Sequence, residues 1–183
     1  MATVIGISGS LRRGSLNSAL LRAAAESAPP GLTIEIASIR EIPLYDGDVE
    51  AEQGVPAAVT ALKDRIADAN GLLLVTPEYN GSIPGVFKNA IDWLSRPPKD
   101  IARVFADKPT AVMGASPGPW GTAGSQVGWL PVFRVLGVHY LSGVKLQVPH
   151  AAKVFDAEGH LIDDGVRASL SKFLTGFAKY LAA

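Results

Sequence analysis

The chain has 183 residues, of which 48% are hydrophobic, with 17 basic side chains against 17 acidic ones and no cysteine. This length lies near the roughly 150 residues of one domain and can fill one core, so residues 1–183 are expected to form a single unit. Zero formal charge leaves no electrostatic footprint for nucleic acid or an acidic membrane face, and the lack of cysteine excludes disulfides, thiolate metal ligands and catalytic thiols.

In chain order, short β-branched runs alternate with longer amphipathic ones. The pattern predicts strands at Thr3–Gly9, Leu32–Ser38, Gly71–Thr76, Thr110–Ala115 and Val138–Ser142, and helices at Asn17–Ser27, Pro56–Ala69, Pro84–Leu94, Thr122–Leu136 and Val166–Leu181. The strands are almost continuously apolar, as strands buried on both faces are. The expected fold class is therefore α/β, a three-layer sandwich built on a five-stranded parallel doubly wound sheet. In such sheets ligands sit beyond the carboxyl ends of the strands, near the switch point, so the loops after the first, third and fourth strands should converge. The turn-like stretch Pro43-Leu44-Tyr45-Asp46-Gly47-Asp48 makes Asp46 and Asp48 turn formers. The start, Met1-Ala2-Thr3-Val4-Ile5-Gly6, carries no basic leader, and no apolar run reaches membrane-spanning length, so a cytoplasmic protein is expected.

Two of these loops have unusual chemistry. After the first strand, Gly9-Ser10-Leu11-Arg12-Arg13-Gly14-Ser15-Leu16-Asn17 is rich in hydroxyl and amide groups and runs into a helix. Gly9 would permit a sharp exit, Gly14 a close backbone approach, and Ser10, Ser15 and Asn17 polar contacts, beside the free N–H groups of the helix start. That is an anion cradle, with Arg12 or Arg13 adding a positive group; a plain reading of the same residues has Asn17 simply capping the helix. After the third strand, Pro77-Glu78-Tyr79-Asn80-Gly81-Ser82-Ile83-Pro84-Gly85 is polar and conformationally restricted, which suits hydrogen bonding to a flat polar ring.

Competing motifs fail on particular residues. Gly9 and Gly14 have the spacing of a phosphate-binding P-loop, but Ser15 and Leu16 stand where Lys and Ser/Thr belong. The dinucleotide fingerprint G-x-G-x-x-G is absent from the first turn. Gly114-Ala115-Ser116-Pro117-Gly118 matches a hydrolase nucleophile elbow, with Asp156 and His160 downstream. Pro117 opposes that reading, because the residue after the nucleophile normally donates its N–H to the oxyanion. His139, His150 and His160 lack metal-ligand spacing. Trp93 belongs with a buried helix stripe, whereas Trp120 and Trp129 could border a cleft, a partner subunit or the core.

Ser10-Leu11-Arg12-Arg13-Gly14-Ser15-Leu16-Asn17, Pro77-Glu78-Tyr79-Asn80, Pro84-Gly85 and Lys88-Asn89-Ala90-Ile91-Asp92-Trp93 together resemble the NADPH-dependent FMN reductases, which include quinone, chromate and azo-dye reductases. The resemblance implies a flavodoxin-like fold, bound FMN, NADPH or NADH as co-substrate, a small-molecule electron acceptor, and homodimers or homotetramers with flavin sites near subunit contacts. It implies that Ser10, Arg12, Ser15 and Asn17 hold the FMN phosphate with the Leu16 backbone nearby. It also implies that Pro77, Glu78, Tyr79 and Asn80 line the isoalloxazine and that Ser116 approaches the ring or ribityl chain. Pro117, Pro119 and Trp120 make that last loop bulkier than the family's small, glycine-rich version. Flavin chemistry obliges no acid–base side chain, so no catalytic residue and no metal ligand is assigned. No basic pocket for a 2′-phosphate is visible in the sequence. The alternative is a flavodoxin-like electron carrier that never meets nicotinamide, and the neutral charge opposes it by offering nothing to a basic redox partner.

Overall fold

In the computed structural model, which describes residues 1–183, β1 (Ala2–Ser8) lies between β2 (Leu32–Ala37) and β3 (Gly71–Val75), with β4 (Pro109–Ala115) beyond β3, all parallel. The outer lane is split: β5 (His139–Tyr140) pairs with the start of β4 and β6 (Leu146–Val148) with its end. The order is β2-β1-β3-β4-β5, with the switch point between β1 and β3. Seven helices fill the connections: α1 (Leu16–Glu26), α2 (Gly47–Gln53), α3 (Ala57–Asp68), α4 (Gly85–Leu94), α5 (Ile101–Val104), α6 (Ala123–Leu136) and α7 (Asp164–Leu181).

The sixth strand has a tertiary cause. Where the sequence pattern predicts one strand over Val138–Ser142, the Leu141 N–H still reaches Thr110 O, at 2.9 Å, before the chain loops out through Ser142 and Gly143. The loop is held by Val144 against α7, where Gly176 leaves room: a Cβ there would lie 3.0 Å from a Val144 methyl. Pairing then resumes in the same lane. The helices α2 and α5 are also additions to the predicted set. Asp46 starts α2 by accepting the Asp48 N–H at 2.9 Å, so these residues begin a helix rather than a simple turn.

Side-chain alternation along the strands fills two separate apolar layers. Val4, Leu73, Val75, Ala111 and Met113 pack under α1 and α7. Ile5, Ile7, Leu72, Leu74 and Val112 pack under α3, α4 and α6, with Phe87, Trp93 and Trp129 fully enclosed. Each such large side chain contributes about 1.5–3 kcal/mol by leaving water. Trp93 is thus core, and so is Trp129, whose ring meets Phe87 edge-on at 5.0 Å and stacks on Phe133 at 5.7 Å. Two glycines let helices approach the first strand. A Cβ on Gly6 would lie 2.6 Å from Leu21 of α1, and one on Gly9 only 2.1 Å from the Phe87 ring. Gly9 is therefore required by packing and has no left-handed backbone. No helix is long and apolar enough to cross a membrane.

One buried charge lies far from the strand ends. Lys63 of α3 is 2% exposed, and its ammonium bonds the Asp100 carboxylate and Arg96 O. That hydrogen bond holds the Asp100 carboxyl below its ordinary range. Ionised Asp100 therefore stabilises the fold above the usual carboxylate range, and this stabilisation fades as pH falls toward the depressed folded value. Asp100→Asn should cost about 3 kcal/mol in urea unfolding at neutral pH, the low end for a buried pair because Asp100 is 23% exposed. A loss below about 1 kcal/mol, the scale of a surface pair, would show that the pair is solvated.

Candidate active site at the strand carboxyl ends

The first loop ends in a helix cap. Ser15 has an extended backbone (φ −71°, ψ 122°), and its Oγ accepts the Ser18 N–H at 3.1 Å. The helix therefore starts at Leu16, with Ser15 rather than Asn17 as its cap. The N–H groups of Leu16 and Asn17 have no acceptor within the protein and form the positive end of α1. Asn17 is 4% exposed and uses its carboxamide on the end of β4: Nδ2 donates to Ala115 O at 2.8 Å and Oδ1 accepts Ala115 N–H at 2.9 Å. Its main-chain N–H and second amide hydrogen have no acceptor within the protein. Ser10 Oγ accepts the Arg12 N–H at 3.3 Å, and the Arg12 side chain is exposed.

The second loop is a hairpin-like turn. Tyr79 and Ser82 exchange two backbone hydrogen bonds, at 3.1 and 3.0 Å, around Asn80 (φ 51°) and Gly81 (φ 71°). Two successive positive φ angles define the turn type for which Asn-Gly is the preferred pair. Thr76 and Glu78 fasten the turn to α6. Thr76 Oγ1 donates to Pro77 O at 2.9 Å, so the 2.7 Å contact with Ser125 Oγ is donated by Ser125. Glu78 Oε2 accepts the Ser125 N–H at 3.0 Å. Thr122, at the cap position of α6, makes no side-chain cap, so Glu78 supplies the acceptor for that helix terminus from another element. Close contact is possible because Gly124 has no side chain: a Cβ would lie 2.6 Å from Gly81 O.

The third loop carries the hydrolase-like motif, and its parts have other work. A Cβ on Gly114 would lie 2.2 Å from Thr76 O and 2.3 Å from Thr122 Oγ1, which explains the glycine by packing. Ser116 Oγ accepts the Gly118 N–H at 3.2 Å and bonds no histidine. His160 is exposed and pairs with Asp156 at 2.9 Å, a hydrogen bond that raises the imidazole above its usual value. Trp120 stands 79% exposed on this loop.

These loops meet. Ser10, Arg12, Ser15, Leu16, Asn17, Pro77, Glu78, Tyr79 and Ser116 line one cleft of about 100 Å³, together with Ala115 and Pro117. Gly14 lies outside it, beside a second recess bordered by Phe155 and Asp156, and Asn80 stands exposed in the turn. Arg12 is the one cation lining the cleft and pairs with no carboxylate; the one carboxylate, Glu78, is directed at α6. Sequence reasoning missed Ala115, Pro117, Thr76 and Ser125. Ala115 and Pro117 flank the predicted Ser116, and Ser125 stood in the first turn of a predicted helix, but nothing local pointed to the partner of Ser125 47 residues away.

Two substitutions test this construction. Asn17→Ala strands the buried Ala115 N–H and C=O and should cost about 2 kcal/mol in urea unfolding; an unchanged midpoint would show that water replaces the carboxamide. Glu78→Ala should cost about 1 kcal/mol by removing the cap of α6, while Glu78→Gln, which keeps an acceptor oxygen, should lose less. Equal losses in the two variants would mean that charge, not capping, is what matters.

Comparison with known proteins agrees with this geometry. The family described as NADPH-dependent FMN reductase matches residues 2–153. The chain is 47% identical to an NAD(P)H-dependent FMN reductase from Pseudomonas aeruginosa over 171 residues, covering 93% of this chain and 90% of that one. It is 38% identical to a quinone reductase of Escherichia coli, over 97% and 94% of the two chains. Among solved structures, FerB, a flavoenzyme NAD(P)H:(acceptor) oxidoreductase from Paracoccus denitrificans, superposes with a TM-score of 0.88 at 34% identity, covering 100% of this chain and 98% of that one. With the doubly wound sheet and the cleft at its switch point, these matches establish that the chain belongs to the NADPH-dependent FMN reductase family.

Proposed function

We propose that the cleft holds FMN with its phosphate on the N-terminus of α1 and its ring along Pro77–Asn80. The enzyme would then use electrons from NADPH or NADH to reduce free flavin, a quinone or a similar small acceptor in a ping-pong exchange. The observation that carries this reading is the pair of unpartnered N–H groups at Leu16 and Asn17, beside an unpaired Arg12, in a cleft shared with the second loop. A phosphate there gains two backbone donors, a cationic side chain and the helix dipole. When bound, FMN supplies a ring that accepts hydride and passes electrons onward.

The residues of the chain position and expose that ring. The turn at Asn80-Gly81 and its fastening to α6 present the loop backbone in one conformation, so little ordering is left to be done on binding. Tyr79, 51% exposed, stands at the mouth, where its ring can flank an aromatic acceptor. A cleft of about 100 Å³ takes the phosphate end of the cofactor and leaves the ring at the surface, open to a second substrate. Ser116, which lines the same cleft, would approach the ring or ribityl chain.

A homodimer or homotetramer fits the outer side of α6, where Val127, Leu130 and Val135 are 64, 45 and 77% exposed, near the exposed Trp120. A cytoplasmic location accords with the cysteine-free composition.

Anaerobic addition of NADPH, then NADH, to the FMN-loaded protein should bleach the oxidised flavin band within the turnover time. Flavin that binds but is bleached by neither nucleotide would instead indicate an electron carrier. Arg12→Ala and Ser15→Ala should each weaken FMN binding more than they disturb folding, and unchanged affinity in both would remove the phosphate from this loop.

A further inference from the structure

A second cleft, of about 320 Å³, lies on the opposite side of the first loop, between the N-terminal half of α1 and the end of β2. Four arginines line it: Arg12 and Arg13 from the loop, Arg22 from α1 and Arg40 beyond β2. No carboxylate lines it, and none of the four makes an ion pair; the arginines that do are Arg65, Arg96, Arg103 and Arg167. In a chain with zero formal charge this is a local concentration of positive charge with its counter-charge missing. Arg40 is also held in place, since its guanidinium donates to Leu11 O at 2.7 Å, tying the end of β2 to the first loop.

We infer that this cleft binds the adenosine 2′-phosphate of NADPH and so selects NADPH over NADH; the inference rests on the reductase reading above. Three features favour a phosphate carried on a nucleoside over a bare anion. The cleft shares Ser10 and Arg12 with the flavin cleft, so a dinucleotide whose nicotinamide lies at the flavin ring can run along the loop into it. Its volume exceeds what a lone phosphate fills. Its floor is apolar, with Leu21 buried and Ile36 47% exposed although it points to the layer under α1, a surface on which a purine can lie. Arginines from three elements border the cleft, Arg22 with its guanidinium against Gly159 at one end, and a guanidinium offers the forked donors that a phosphate dianion accepts.

The test is calorimetric binding of adenosine 2′,5′-bisphosphate and of 5′-AMP to the FMN-loaded protein, in wild type, Arg22→Ala and Arg40→Ala. The bisphosphate should bind about tenfold or more tightly than AMP in wild type, and the preference should shrink by about tenfold in Arg22→Ala, which touches neither the flavin cleft nor the Arg40–Leu11 bond. FMN affinity and the rate of bleaching by NADH should stay unchanged in that variant. Equal binding of the two nucleotides in wild type, or a preference that survives both substitutions, would overturn the inference. Binding to the apoprotein that FMN abolishes would overturn it too, by assigning the arginines to the flavin's own phosphate. These outcomes are separate from failure of the reductase reading, which appears as flavin bleached by neither nucleotide.

Discussion

Two hydrogen bonds between the Asn17 carboxamide and the backbone of Ala115 set the position of α1 against the end of β4. Because Asn17 lies in the first turn of α1, the same contact fixes where that helix points its free N–H groups. Ala115 is the last residue of β4, in register with Val148 of β6, and the carboxamide takes both its N–H and its C=O. The α1 side of the cleft and the wall formed by Ala115, Ser116 and Pro117 are thus one construction.

The Pro77–Asn80 side depends on a second helix terminus in the opposite sense. There the protein supplies its own anion: Glu78 caps α6, and in doing so holds the turn that carries Tyr79 and Asn80. Using the dipole of α6 internally and leaving that of α1 open explains why one loop is acidic and self-satisfied while the other is basic and unpaired. The surplus of arginine continues past the flavin cleft onto the β2 side of the same loop. A single loop thus borders both clefts, the one proposed for the cofactor and the one proposed for a visiting nucleotide.

The layered sheet was legible because its strands are nearly continuous apolar runs whose alternate residues fill opposite layers, as Leu72–Leu74 and Leu73–Val75 do. The short helices α2 and α5 span too few turns for an apolar period to emerge. The split of the last strand follows from Val144 meeting Gly176, a contact between distant residues of which the strand pattern carries no trace. At the site, the loops themselves stood out by composition, but Ser15 and Asn17 are both good cap residues, and only the position of Ala115 decides which one caps and which one clamps. Arg22 and Arg40 appear in the sequence as isolated surface charges; α1 carries Arg22, and the parallel pairing of β1 with β2 brings Arg40, to the cleft that Arg12 and Arg13 also line.

In the proposed binding mode FMN is held by three loops at the strand ends. Hydrogen–deuterium exchange of the apoprotein with and without FMN tests it amide by amide. New protection is expected at Leu16, Asn17 and their neighbours in the first loop, along Pro77–Ser82, and at Ser116–Gly118, with the rest of the chain nearly unchanged. Protection that misses the start of α1, or that spreads evenly over the sheet, would contradict it.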